Sequence, residues 1–283
     1  MRAVAPNLRA WIGRKQSRED VVSAWPVSAL AATFDRHDPE PRPGDAIPSG
    51  WNWLYFLETI PASELGPEGH PRVGGFLPET GLPRRMWAGG RIHFKRPLRV
   101  GEAIRRDSEI ISIEPKRGRS GRLVFVTVRH TVSAGGEVVV VEDHDIVYRE
   151  APRPDDAPAA QHPAPREAPW RREMIADPVM LFRYSALTFI GHRIHFDLDY
   201  CRQEEGYPGL VVHGPLQTLL LLDLCRRHET RPVRSIEYRA VHPLFHFERF
   251  SINGAPSADG ATSELWTANA AGNFGMRATV CFI

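Results

Sequence analysis

The sequence predicts an α+β fold in which two antiparallel sheets each wrap around a central helix. A segment of alanine, proline and charged residues divides the chain into two halves of similar size. Each half contains a helical segment followed by about four runs rich in β-branched and aromatic residues, a composition typical of strands. The helix of the second half is apolar on almost all sides, as expected of a helix that a sheet encloses.

The N-terminal half, residues 1–150, begins with apolar residues at roughly helical spacing, which predicts a leading helix between Leu8 and Leu30. A short apolar and aromatic run, WNWLYF, follows in the place of a central helix. Four strands are predicted, at residues 86–94, 103–114, 123–132 and 138–149. The last begins with four consecutive valines, a pattern that predicts burial on both faces.

Residues 151–169 are predicted to form an extended linker, because proline fixes φ and lacks an amide donor. The C-terminal half, residues 170–283, repeats the order of the first, with a helix at 213–228 and then four strands. These strands are predicted at residues 234–241, 248–254, 263–270 and 276–283. Each half leaves a sheet edge that needs cover, so we expect the two halves to pair edge to edge.

Composition excludes several classes of protein. The chain has 36 Lys and Arg against 34 Asp and Glu, and a net charge of +2 is too small for a strongly basic nucleic-acid binder. No apolar run approaches the roughly 18 residues of a membrane span, and no signal peptide is visible. Cys201, Cys225 and Cys281 are too scattered for a disulfide framework or a metal site. We therefore expect a cytoplasmic protein with reduced thiols, without metal and without a membrane or nucleic-acid partner.

The segment from 182 to 224 carries a resemblance to a known family. It contains HRIH, which ends at His195, and HGPL, which begins 18 residues later at His213. These motifs resemble those of the MaoC-like (type-2) enoyl-thioester hydratases, which have a hot-dog fold. SALTF, LPRRMWAGGRIHF and EDHDIVYR are similar to the branch that acts on 3-methylfumaryl-CoA (mesaconyl-C4-CoA) and itaconyl-CoA. The resemblance covers nearly the whole chain and implies a double hot-dog hydro-lyase that takes acyl-CoA as substrate, without a cofactor.

The chemistry of hydration assigns roles to two of these residues. A histidine with a pKa near 6.5 can deprotonate water, which makes His195 the candidate base. The first amides of a helix have no intrahelical partner, and the helix dipole favours negative charge there. Pro215 has no N–H, so the amide of Gly214 is the candidate donor to the enolate oxygen. His213 is expected to cap or pack.

One position departs from the family pattern. Five residues before His195, where the family has aspartate, the chain has Ile190, which cannot move a proton. Phe189 stands where the family has glycine. Either His195 is the sole base and acid, oriented by Asp197 or another carboxylate, or the activity is weakened or altered.

Further residues are candidates for substrate binding. A guanidinium matches a carboxylate in bidentate geometry, so Arg193 could bind the free carboxylate of a dicarboxylic acyl group, the alternative being a structural salt bridge. The basic turn at 116–122 could hold a CoA phosphate or lie solvated at a hairpin tip. The remaining candidates for the pocket wall, or for packing, are His192, Tyr207, Arg84, Arg85 and Trp87.

These observations predict one active site, in the C-terminal half, since the first half has no counterpart of HRIH or HGPL. The predicted reaction is reversible hydration of a branched dicarboxylic enoyl-CoA, foremost 3-methylfumaryl-CoA to citramalyl-CoA. The alternatives are itaconyl-CoA hydration, dehydration of 3-hydroxyacyl thioesters, and a non-catalytic acyl-CoA-binding protein of the same fold. A hot-dog thioesterase fits the motifs less well. The chain could stand as a monomer or pair into a homodimer.

Overall fold

The structure, a computed structural model, describes residues 7–118, 121–151 and 160–283. Within these ranges the chain forms ten strands and four α-helices. The first half contributes β1 (Lys15–Val21), α1 (Ala24–Thr33), β2 (Arg84–Phe94), β3 (Ala103–Gly118), β4 (Gly121–Ala134) and β5 (Glu137–Arg149). The second half contributes β6 (Trp170–Met174), α2 (Pro178–Thr188), α3 (Leu198–Gln203), α4 (Gly214–His228), β7 (Val233–Ala240), β8 (Phe250–Pro256), β9 (Thr262–Ala268) and β10 (Phe274–Phe282).

The strands join into one antiparallel sheet in the order β1-β3-β4-β5-β2-β7-β10-β9-β8-β6. The two halves meet where β2 pairs with β7, from Gly89 opposite Arg239 to His93 opposite Ser235. This confirms the edge-to-edge pairing expected from the sequence. The two predicted sheets are therefore continuous, in an α+β double hot-dog.

Helix α4 lies at the centre of the second half. Its residues from Leu216 to Cys225 are all buried, which confirms the prediction of an enclosed helix. The polar members of this stretch have partners: the Thr267 hydroxyl donates to Oε1 of Gln217 at 2.8 Å. In the first half, the run WNWLYF forms only a short 3-10 helix, Trp51–Leu54. The helical run ends there because Tyr55 is extended (φ −119°, ψ 172°) and Phe56 is left-handed (φ +58°).

The predicted leading helix is wrong over its middle part. Leu8–Trp11 is a 3-10 turn, Lys15–Val21 is strand β1, and only Ala24–Thr33 is α-helical. Strand β1 pairs with β3, from Lys15 opposite Glu109 to Val21 opposite Ala103. The segment KQSRED is polar, as is common for edge strands, and its pairing partner lies more than 80 residues away. Local spacing could not reveal that partner.

Two other expectations concern the start of β5 and the predicted linker. Val139 and Val140 are buried but Val138 is exposed, so the prediction of burial on both faces is wrong for the first valine. Residues 160–169 run beside the turn between β9 and β10, where the amide of Ala164 donates to the carbonyl of Gly272 at 2.8 Å. Residues 152–159 of the predicted linker lie outside the described residues.

A buried ion pair between Asp223 of α4 and Arg36 connects the two halves. Asp223 is 2% exposed and accepts hydrogen bonds from Arg36, after α1, and from Arg227, each at 2.8 Å. Breaking one side of a buried pair leaves charge without a partner, which costs more than losing an exposed pair.

We expect Asp223→Asn to lower the free energy of unfolding by about 3 kcal/mol, since it removes the buried carboxylate shared by Arg36, Arg227 and Arg172. Arg36 then keeps only Asp38 as a charged partner. Urea unfolding followed by tryptophan fluorescence measures the change. The control is Glu114→Gln, which removes an exposed pair with Lys116 (3.0 Å) and should shift the midpoint little. Equal shifts in the two variants would contradict the importance of the buried pair.

Candidate active site

A cavity of about 1300 Å³ lies between the two halves at the N-terminal end of α4. The first half lines it with the loop between residues 65 and 77, the start of β2 and part of β5. The second half lines it with residues 189–192 and 194–196 and the start of α4. Seven of the eight predicted site residues line this cavity: His195, Gly214, His192, Tyr207, Arg84, Arg85 and Trp87.

His195 lies in a short 3-10 helix, Arg193–His195, and is 8% exposed. Its Nδ1 is 2.7 Å from the carbonyl oxygen of Val211, which can only accept a hydrogen bond. Nδ1 therefore carries the proton and Nε2 is left as an unprotonated acceptor. Burial lowers the pKa of His195 to about 4, partly offset by the Val211 carbonyl, so the ring is neutral at pH 7. A neutral imidazole with a free Nε2 is the form that a general base requires.

Asp197 does not orient His195. Its carboxylate accepts from the amide of Tyr200 (2.9 Å), at the start of α3, and from the guanidinium of Arg193. These bonds lower the pKa of Asp197, the Tyr200 amide contributing first and Arg193 next. The expectation of a carboxylate partner is wrong, because the carbonyl of Val211 already holds the Nδ1 of His195.

His213 packs directly on His195. The two rings are stacked with centres 3.5 Å apart and planes 18° apart. Nε2 of His213 lies 2.9 Å from the hydroxyl of Ser185, and the ring of Tyr184 meets it edge-on at 4.9 Å. His213 precedes α4 but makes no side-chain cap. Of the two expected roles, the structure supports packing, and the stack brings the start of α4 to the base.

Gly214 begins α4 against the indole of Trp87. A Cβ at this position would collide with Trp87, so only glycine fits here. The indole is stacked on Tyr238 (4.8 Å between centres), and a bulge in β2 between Trp87 and Gly89 accompanies this orientation. Gly214 and Pro215 both line the cavity, so the helix start with its free amides faces the same space as His195.

Arg193 is not placed where the sequence suggested. Its guanidinium binds Asp197 at 2.8 and 3.0 Å, lies over the ring of Tyr200, and is absent from the cavity wall. The structure therefore shows the alternative, a structural salt bridge, because a carboxylate four residues away already occupies the guanidinium.

The two arginines at the start of β2 differ from each other. Arg84 is paired with Glu205 at 3.2 Å. Arg85 also lines the cavity, but it has no carboxylate partner among the residues that the structure describes. Its guanidinium makes one long hydrogen bond, 3.4 Å, to the carbonyl of Pro71. Of these two arginines, Arg85 is thus the one free to meet an anionic acyl group.

Two further expectations can be placed. Tyr207 lines the cavity wall beside Phe245, and burial raises the pKa of its hydroxyl. In the basic turn, Arg119 and Ser120 lie outside the described residues. Lys116 and Arg122 are paired with Glu114 and Glu150 and do not line the cavity.

His70 is a site residue that the sequence did not indicate. Its ring lies 4.2 Å from that of His192, which in turn lies 5.4 Å from that of His195. Burial lowers the pKa of His192 to about 3 and that of His70 well below its usual value, with the positive field of Arg85 adding to both. The only local signal was a glycine, Gly69, in a polar loop 120 residues from HRIH.

The first half adds a second polar wall. Nε1 of Trp53 donates to Glu142 at 2.9 Å. Burial raises the pKa of the Glu142 carboxyl to about 7, although Trp53 and Arg106 lower it in part. His144, on the same strand, has its pKa lowered to about 4 by burial. In the described part of the chain, no group of three His, Cys, Asp or Glu side chains is arranged to hold a metal ion.

Comparison with known proteins identifies the family. The sequence profile of the hydroxyacyl-thioester dehydratase type 2 family matches residues 50–246. The chain belongs to this family. It is a hydro-lyase, and its MaoC-like resemblance is confirmed. No helix within the described ranges has the length and apolar character needed to cross a membrane.

Two kinds of relative support the assignment. The chain is 44% identical to the mesaconyl-C(4)-CoA hydratase of Chloroflexus aurantiacus over 88% of its own length and 89% of the relative. HtdX of Mycobacterium tuberculosis is 19% identical, with a TM-score of 0.68 over 95% of this chain and all of that one. A MaoC-like dehydratase is 15% identical, with a TM-score of 0.72 over 98% and 99% of the two chains. These two structures show that the dehydratase fold is shared.

The buried histidines predict loss of stability in acid. In the unfolded chain they protonate near pH 6.5, whereas burial lowers the pKa of His195 to about 4 and that of His192 to about 3 in the folded protein. Below pH 6.5 the unfolded chain therefore binds more protons, and stability falls until the folded sites also protonate. Thermal unfolding between pH 7.5 and 4.5 should show a decrease in Tm.

Replacing a buried ring should reduce this dependence. His192→Gln removes one such site, so its Tm should fall less steeply with pH than that of the wild type. His228→Gln, at an exposed position beside Trp170, is the matched control and should keep the wild-type slope. Identical slopes in all three proteins would mean that His192 does not contribute.

Proposed function

We propose that this protein catalyses the reversible hydration of mesaconyl-C4-CoA to citramalyl-CoA. One structural observation carries the proposal. A neutral histidine with a free Nε2, the open N-terminus of a buried helix and an arginine with no carboxylate partner in the described ranges line one cavity. The 44% identity to a mesaconyl-C(4)-CoA hydratase supports the same acyl group.

His195 acts as the base in the proposed reaction. Its Nε2 takes a proton from water while the water oxygen forms a bond to the alkene carbon β to the thioester. The π electrons of the alkene move towards the thioester oxygen and form an enolate, and the proton then returns to the α carbon. His192 can hold the second side of the water, because its ring nitrogens have no hydrogen-bond partner among the described residues.

The amide of Gly214 stabilises the enolate in this proposal. Negative charge appears on the thioester oxygen, and the unpartnered amides and dipole at the start of α4 favour it there. Trp87 covers Gly214 and excludes water from this end of the cavity. Exclusion of water strengthens the electrostatic interaction with the developing charge.

Arg85 binds the free carboxylate of the acyl group. In mesaconyl-C4-CoA that carboxylate is attached to the carbon that water attacks, so its binding site must adjoin the histidines. Arg85 meets this requirement, because its charge acts directly on His70 and His192. Tyr207 and Trp87 form the apolar wall beside it.

We propose further that CoA thioester is the substrate and that the reaction needs no resident metal or cofactor, since a base and a hydrogen-bond donor suffice. The cytoplasm is the proposed compartment, on the support of three free cysteines. The residues proposed for the site come from both halves of one chain, so a monomer or a homodimer would each contain complete sites.

Turnover tests the reaction directly. Loss of enoyl-thioester absorbance is followed with mesaconyl-C4-CoA, itaconyl-CoA and crotonyl-CoA. We expect rapid turnover of mesaconyl-C4-CoA and a loss of at least about 100-fold in kcat for His195→Ala, which removes the base. Preference for one of the other two thioesters would contradict the proposed substrate. Absence of turnover with all three would favour a non-catalytic acyl-CoA-binding role.

Arg85 and Arg193 form a matched pair for the carboxylate. We expect Arg85→Met to lower kcat/KM for mesaconyl-C4-CoA by about 100-fold, the loss of a charge-assisted contact, and to spare crotonyl-CoA, which lacks the carboxylate. Arg193→Met should cost mesaconyl-C4-CoA clearly less than Arg85→Met does, since Arg193 does not line the cavity and pairs with Asp197. Equal losses on both substrates with Arg85→Met would refute its role.

A further inference from the structure

We propose that the acyl carboxylate binds between Arg85 and His70, so that the first half of the chain selects the acyl group and the second half carries out hydration. This inference rests on the proposed function and adds a specificity residue, His70, to it. It also gives Arg193 the role of a positioning residue, which holds the loop that carries His70.

The loop that carries His70 is fixed to the second half. The amide of Arg193 donates to the carbonyl of Glu68 at 2.9 Å, and Nη1 of Arg193 donates to the carbonyl of Pro67 at 3.2 Å. The next residue, Gly69, has a φ of +90° and lies so close to the carbonyl of Gly191 that no side chain would fit. The loop therefore packs directly against the segment that contains His192.

The other end of the loop is bound to Arg85. The guanidinium of Arg85 donates to the carbonyl of Pro71, the residue after His70. This contact holds the cation next to the imidazole, and their electrostatic interaction lowers the pKa of His70 together with its burial. Arg85 and His70 thus form one edge of the cavity, contributed entirely by the first half.

His70 has its hydrogen-bonding capacity free for a ligand. Neither ring nitrogen has a partner among the described residues, and the ring is held by its contact with His192 at 4.2 Å. Of the carboxylates that line the cavity, Glu205 binds Arg84, Glu142 binds Trp53 and Glu58 binds Arg18. Glu68 also lines the cavity, but it is not among the charges that act on His70. A neutral imidazole offers one N–H donor, so His70 can bind an anion without a competing acidic side chain.

The geometry of the substrate agrees with this location. A carboxylate has two oxygens. If the guanidinium of Arg85 binds one of them, a second donor beside Arg85 can bind the other. The carbon that bears the carboxylate is also the carbon that water attacks. His192 lies between His70 and His195, at 4.2 and 5.4 Å between ring centres, so a carboxylate at His70 places that carbon near the base.

The test compares His70 variants on two thioesters that differ at the carboxylate, mesaconyl-C4-CoA and crotonyl-CoA. We expect His70→Ala to lower kcat/KM for mesaconyl-C4-CoA by about 10- to 100-fold and for crotonyl-CoA by less than about twofold. His70→Gln retains an N–H donor and should recover part of the loss. His228→Ala, which removes a stacked histidine remote from the cavity, should change neither. Equal losses on both thioesters, or none, would overturn the inference.

A second measurement separates this inference from the proposed function. ¹⁵N imidazole shifts of the wild type are recorded with methylsuccinyl-CoA, the saturated analogue, and with butyryl-CoA, which has no carboxylate. We expect methylsuccinyl-CoA alone to shift the His70 signal, which His70→Gln identifies by its absence. If the wild type fails to hydrate mesaconyl-C4-CoA, the proposed function fails, yet this selective shift still supports the carboxylate site. Absence of the shift overturns it.

Positioning by Arg193 has its own readout. Arg193→Lys keeps a charge beside Asp197 but removes the planar group that reaches Pro67, so the loop should loosen. We expect KM for mesaconyl-C4-CoA to rise about tenfold while kcat for crotonyl-CoA stays within about twofold. A fall in kcat on both thioesters with unchanged KM would overturn the positioning role.

Discussion

The pairing of β2 with β7 holds the two halves of the site together. Across this seam the first half presents Arg85 and Trp87, both on β2, to the start of α4 in the second half. Trp87 covers Gly214 only because the strands are in this register, and a slip by one residue would turn its side chain to the other face of the sheet. The placement of these candidate site residues therefore depends on the backbone hydrogen bonds between β2 and β7.

Burial has opposing effects on the histidines. It keeps His195 neutral and able to accept a proton, but a pKa of about 4 makes it a weak base. A substrate with its own negative charge would counteract this effect, because a nearby anion favours the protonated ring. A dicarboxylic acyl group thus suits these histidines better than a neutral one, and Arg85 offsets the charge on the other side.

Two residues near His195 differ from the family pattern: Ile190 replaces an aspartate and Phe189 replaces a glycine. Ile190 lines the cavity without a polar group, and Phe189 adopts a φ of +52° while 60% exposed. A left-handed conformation costs of order 1–3 kcal/mol for a residue other than glycine, and such strain concentrates at functional sites. The loop of the first half places the imidazole of His70 next to His192, with 4.2 Å between the ring centres.

Local patterns in the sequence were enough to predict eight of the ten described strands, the enclosed helix α4, and His195 and Gly214 as candidates for one site. These features depend on periodicity, helix-start chemistry and motif spacing, which neighbouring residues encode. The partner of Arg84, the placement of His70 beside His192 and the edge strand β1 depend on contacts between residues about 80 to 125 positions apart in the chain. The sequence does not distinguish Arg193 from Arg85, because both are arginines. Only the tertiary structure shows that Arg193 pairs with Asp197 and that Arg85 faces the cavity.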